Sequence, residues 1–98
     1  MNATITVAEE VRESWSVAFG LEMAQRAIRR HGADEHQSIH PDSISDRVTR
    51  MLMTLSYVKT HTPEKLPKTL AEAREVLKEA EAIAKAAWDA FAARKLAA

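Results

Sequence analysis

The chain has 98 residues, 46% hydrophobic and 29% charged, with 14 basic and 14 acidic side chains balancing to zero net charge. A chain of that length builds a single domain with a modest core, and neutrality argues against a strongly basic nucleic-acid binder or a polybasic membrane anchor. Cysteine is absent, which excludes disulfides, thiol chemistry and thiolate metal sites, and no apolar run approaches the roughly 20 residues of a membrane span.

The opening MNATITVAEEV has neither the basic start nor the apolar stretch of a signal peptide, so a cytoplasmic protein is expected. Residues 1–5 read as a short flexible arm. Thr6 and Glu9 then form a capping box, predicting a first helix from Val7 to about His31, with Gly32 just past its end. Val7, Val11, Trp15, Ala18, Leu21, Ala24 and Ile28 recur at helical spacing, with Phe19 and Met23 flanking them. Glu9, Glu10 and Glu13 near the start and Arg26, Arg29, Arg30 and His31 at the end suit the helix dipole. Gly20 interrupts this helix at a cost of about 1 kcal/mol relative to Ala; its expected role is a close helix crossing.

Residues 32–42 form the first connection, rich in polar turn residues and containing Pro41. Asp42 or Ser43 caps a second helix, predicted from Ile44 to about His61, whose apolar face is Ile44, Val48, Met51, Leu52, Leu55 and Val58. Met53 and Tyr57 fall outside that stripe, four residues apart, and suggest a second buried face. Residues 62–69, with Pro63 and Pro67, form the second connection. A further capping box, Thr69 with Glu72, predicts a third helix over 70–96. Its stripe Leu70, Ala73, Leu77, Ala80, Ala84, Ala87 and Phe91 is mostly Ala, so another helix can approach closely, and Val76, Ile83 and Ala90 lie beside it.

These elements predict an all-α fold, a three-helix up-down-up arrangement with a long Ala-rich C-terminal helix. The second helix is the shortest, so the ends of the other two should overhang and leave Trp15 to Phe19 or Trp88 to Phe91 partly uncovered. One neighbouring helix cannot cover both stripes of the third helix. A homodimer is therefore expected, with Trp15, Phe19, Ala73, Ala80, Ala84, Trp88 and Phe91 as its candidate interface.

Two clusters carry possible ligand chemistry. Arg26, Arg29 and Arg30 end the first helix, and Arg47 and Arg50 lie near the start of the second, where Ser43 and free backbone N–H groups also point. Helix starts bind anions, so a phosphate- or nucleotide-type ligand is one candidate, set against neutralisation by Asp34, Glu35, Asp42 and Asp46. His31, His36 and His40 are weak candidates for a divalent metal, since their spacing matches no helical metal motif. No nucleophile–base pairing or Gly-rich phosphate loop is evident, and the connections are too long for a helix-turn-helix.

No enzyme activity and no cofactor are expected from this pattern. The leading expectation is a non-enzymatic helical interaction protein: a regulator, inhibitor or adaptor of the kind that phages and mobile elements encode, binding a macromolecular partner as a homo-oligomer. The alternative is an anion binder at the arginine cluster, and the least favoured is the histidine metal site.

Overall fold

A computed structural model describes the backbone of residues 2–31 and 43–97, and the side chains of residues 9–31 and 43–97. The described residues are helical almost throughout: α1 spans Asn2–His31, α2 Ile44–His61 and α3 Leu66–Ala97, with a 3-10 turn Pro63–Lys65 between α2 and α3. None of these helices is long and apolar enough to cross a membrane. The body is elongated, about 59 Å in its longest dimension.

Both boundaries of α2 have a local cause. At the start of α2 the Ser43 hydroxyl accepts the Asp46 backbone N–H at 3.1 Å, one of the first-turn donors that have no partner inside the helix. At its end the Thr62 N–H returns to the Val58 carbonyl at 3.0 Å, and the Lys65 N–H to the Thr62 carbonyl at 2.9 Å, which closes the 3-10 turn.

Two starts differ from the sequence expectation. The helical backbone of α1 begins at Asn2 rather than Val7: no Gly or Pro lies among residues 2–8 to stop it, and a capping box does not prevent a helix from extending past it. Likewise α3 begins at Leu66 rather than after Thr69. Pro67 sits in its first turn, where the missing N–H costs nothing, and the extension buries Leu66 and Leu70 to 3% and 1% exposure. Thr69 is thereby placed inside the helix, where its hydroxyl donates to the Lys65 carbonyl at 2.9 Å instead of capping.

The core is one cluster. Val17, Leu21, Ala24 and Ile28 of α1 meet Ile44, Val48, Leu55 and Val58 of α2 and Leu66, Leu70, Ala73 and Ala80 of α3. Leu77, Ala84, Val76 and Ile83 pack against its edge. The largest helix contact is between α1 and α3, and it includes Glu13 with Arg74, Gly20 with Leu77 and His31 with Trp88. Between α1 and α2, Gln25 bonds Ser45 and Thr49, and Lys59 lies over the Trp15 ring.

Gly20 marks the close crossing expected for it. A methyl at this position would stand 3.1 Å and 3.3 Å from the two terminal carbons of Leu77. Those carbons are the movable end of a half-buried side chain, so they can yield a few tenths of an ångström. Gly20→Ala therefore should stabilise the protein by less than about 1 kcal/mol, the helix-propensity gain minus the cost of moving Leu77. Ala80→Leu, where no surface remains exposed, should destabilise by about 1–3 kcal/mol through overpacking. Urea midpoints of the two variants check both; a Gly20→Ala loss would show that Leu77 is locked in place.

Candidate functional site

The three candidate sites anticipated from sequence fare differently in the structure. His31 is built into the fold: its ring lies 4.6 Å from the Phe91 ring and 5.2 Å from the Trp88 ring, centre to centre. Its Nδ1 is sealed from solvent and has no hydrogen-bond partner among the described residues. These contacts dock the C-terminal end of α1 on α3. His36 and His40 lie outside the described residues, so the expected histidine trio is not tested. Among the described residues no group of three or more His, Asp or Glu side chains is arranged to hold a metal.

The arginines at the α1–α2 end spread over several faces. Arg47 turns towards α3 and makes a two-pronged pair with Glu79, Nη1 to Oε1 at 2.9 Å and Nη2 to Oε2 at 2.7 Å. Arg29 Nε donates to the Ser45 hydroxyl at 3.1 Å. Arg50 pairs along its own helix with Asp46 at 3.6 Å. Arg26 and Arg30 are exposed on α1. Arg47 and Arg50 do border a shallow depression with Met51, Thr54 and Val76, but Glu79 already occupies the fork of Arg47. Ser43, the other member of the expected site, is 3% exposed and spends its hydroxyl on the Asp46 N–H. Convergence on an anion was legible only as proximity in sequence; the faces on which the side chains stand divide the group.

The candidate dimer seam also divides. Ala73 and Ala80 are wholly covered by the other helices of the same chain, and Ala84 packs against the core edge. Ala73 and Ala80 turn no surface outward from the single chain, so a dimer on the expected interface would rest mainly on its exposed members Trp15, Phe19 and Trp88. Phe91 is half-buried against His31, whereas Trp88 remains 54% exposed.

What stands open is a face of the α1–α2 pair. Trp15 and Phe19 are 65% and 63% exposed, and Met23 continues the same line on α1. The three recur at steps of four, away from the buried Leu21, Ala24 and Ile28. On α2, Met53 and Tyr57 are 68% and 59% exposed, so the second buried face expected for them is absent from the single chain. Tyr57 stacks on His61 with ring centres 4.5 Å apart. The ammonium of Lys59, 5.7 Å from the centre of the Trp15 ring, joins the two helices along this face. Trp15 therefore lies beside α2 rather than beyond its end. It is exposed because it points outward, not because α2 is short.

Sequence reasoning missed one polar network behind this face. The Gln25 side-chain amide donates to the Ser45 carbonyl at 2.8 Å and to the Thr49 hydroxyl at 2.7 Å. Thr49 in turn donates to the Ser45 carbonyl at 3.1 Å. The network fixes α1 against α2, and so fixes the spacing of the outward aromatic and Met side chains. Its partners are distant in sequence, and no local pattern announces them.

No protein-family model matches this chain, and comparison with curated proteins and with solved structures likewise gave no match.

Two predictions follow from these contacts. The Glu79 carboxyl is held below its usual range, chiefly by the Arg47 hydrogen bonds; slight burial opposes this, and the guanidinium charge reinforces it. A depressed folded-state pKa contributes stability that is present above the unfolded value of 4.5 and lost as pH falls through the folded one. Both partners are more than a third exposed, so solvent screens the pair, and Glu79→Gln should cost less than about 1 kcal/mol near neutral pH. The difference from the natural chain should shrink as pH falls below 4.5 and vanish once pH has passed below the lowered folded-state pKa, as read by denaturant midpoints across pH. For His31, a buried ring nitrogen without a partner is a cost rather than a support. His31→Leu should leave the melting midpoint equal or higher, and a loss above about 1 kcal/mol would show that the imidazole has a partner.

Proposed function

We propose that this chain is a non-enzymatic interaction protein, acting in the cytoplasm, whose three helices run up, down and up and present the α1–α2 face to a macromolecular partner. One observation carries the reading. Trp15, Phe19, Met53 and Tyr57, all large and all more than half exposed, occupy the outward faces of two adjacent helices. The core beneath them is by contrast closed: Leu21, Ile28 and Val48 have no exposed surface. Contiguous exposed apolar surface rimmed by polar residues marks interaction sites, and Trp, Tyr and Met are enriched where binding energy concentrates. A regulator, inhibitor or adaptor needs no more than such a face on a fixed scaffold.

The partner need not be a second copy. The alanine stripe that suggested a homodimer is largely satisfied within one chain, so a homo-oligomer would have to form on the α1–α2 face instead. The anion-binding alternative loses ground with Arg47 engaged by Glu79 and Arg29 by Ser45.

The test is a pull-down from lysate of the source cells with the full chain and with a Phe19→Asp, Met53→Asp double variant. Both positions are exposed, so the variant should keep its stability within about 1 kcal/mol of the natural chain while losing at least ten-fold in retained partner. Equal retention by both proteins would contradict the proposal.

A further inference from the structure

The α1–α2 face has a charge as well as a shape. Arg12, Arg26 and Arg30 are exposed on the outward side of α1, beside the line Trp15, Phe19 and Met23, and no ion pair among the described residues engages them. Lys59 stands over Trp15. The acids on this side are Glu22 on α1 and Asp46 on α2, and Asp46 is 3.6 Å from Arg50. The face is thus net basic in a chain whose formal net charge is zero. The outward side of α3 is different: Lys85 and Asp89 there pair with each other at 2.7 Å, Ala71, Ala82 and Ala86 offer no bulk, and its exposed large residues Trp88 and Leu96 lie towards its C-terminal end.

Resting on the partner-binding reading, we infer that this face docks an amphipathic helix of a partner protein whose flanks are acidic. The anchors match that occupant. Trp15, Phe19 and Met23 extend over about 12 Å of α1, the span of one helical face reading i, i+4, i+7 on an incoming segment. Met23 and Met53 supply adaptable contact surface. Arginines at both ends of the line would meet carboxylates flanking the partner's apolar stripe, which steers encounter and sets orientation.

A second copy of this chain fits less well. In an antiparallel pairing of two α1 helices centred on Phe19, Arg12 would face Arg26 of the other copy, because the two positions are equally distant from the centre. A parallel pairing would set each arginine against itself. Either arrangement places like charges opposite one another, which opposes association. Single-stranded nucleic acid also uses aromatic and basic groups, but Glu22 within the strip would repel its phosphates, and Met23 and Met53 offer no ring on which a base can stack.

The experiment selects from a phage-displayed library of helix-forming 18-residue peptides on the immobilised full-length chain, with counter-selection on Phe19→Asp. The expected result is a set of peptides with net negative charge that bind at least ten-fold more weakly to Phe19→Asp and to an Arg12→Glu, Arg26→Glu variant. Circular dichroism of each variant confirms that it folds. Phe19-dependent peptides of neutral or basic charge would overturn the acidic assignment and leave partner binding standing. Absence of any Phe19-dependent peptide would overturn both. Two further results on the same protein would overturn the partner helix: a dimer by light scattering that Phe19→Asp dissociates, or Phe19-dependent binding of a labelled thirty-nucleotide oligothymidylate in anisotropy.

Discussion

The alanine stripe of α3 is the constraint on which the rest depends. Ala73 and Ala80 are fully buried, and their small side chains let α1 and α2 close on α3 until Leu21, Ile28, Val48 and Leu55 fill the space between. Gly20 serves the same approach from the other side, admitting the end of Leu77 where a larger residue would intrude. A core of this kind has room for Leu, Ile, Val and Ala, and for no additional ring. The chain places its rings accordingly. His31, Trp88 and Phe91 cluster where α1 ends against α3, and Trp15, Phe19 and Tyr57 stand outside.

That segregation links packing to the proposed function. In a small domain, stability comes from a core of limited size, and moving Trp15 or Phe19 inward would add apolar burial only at the cost of the close helix approach. Their outward position leaves them available to bind. The scaffold under them is held by means other than bulk: Gln25 ties α1 to Ser45 and Thr49 of α2, and Arg74 ties α3 to Glu13 of α1 at 2.7 Å. Such ties fix the relative positions of the helices, and a preorganised surface loses less freedom when a partner arrives.

Much of the fold was legible in the sequence. The 3.6-residue periodicity gave the helical class, and the Ser43 cap located the start of α2. The Ala stripe correctly identified the buried face of α3. The failures have physical causes. Thr69 and Glu72 carry the letters of a capping box, but burial of Leu66 rewards an earlier start and Pro67 tolerates it. Burial of the stripe was legible and the identity of its cover was not, because periodicity shows which face is apolar and not which chain lies on it. The outward positions of Met53 and Tyr57 were also visible as a departure from the α2 stripe. Reading them as buried required a neighbour that the single chain does not supply. The arginine cluster was legible only as nearness in sequence, which brings side chains to one end of the molecule, while the helical turn distributes them around it.

The central claim is that one chain covers its own alanine seam and leaves the α1–α2 face to others. Amide hydrogen exchange of residues 73–84, followed over a thousand-fold dilution of the full chain, tests it most directly. Seam protection that stays constant on dilution is the predicted result. Protection that falls as the chain is diluted would show that a second chain closes the seam, and would contradict the account.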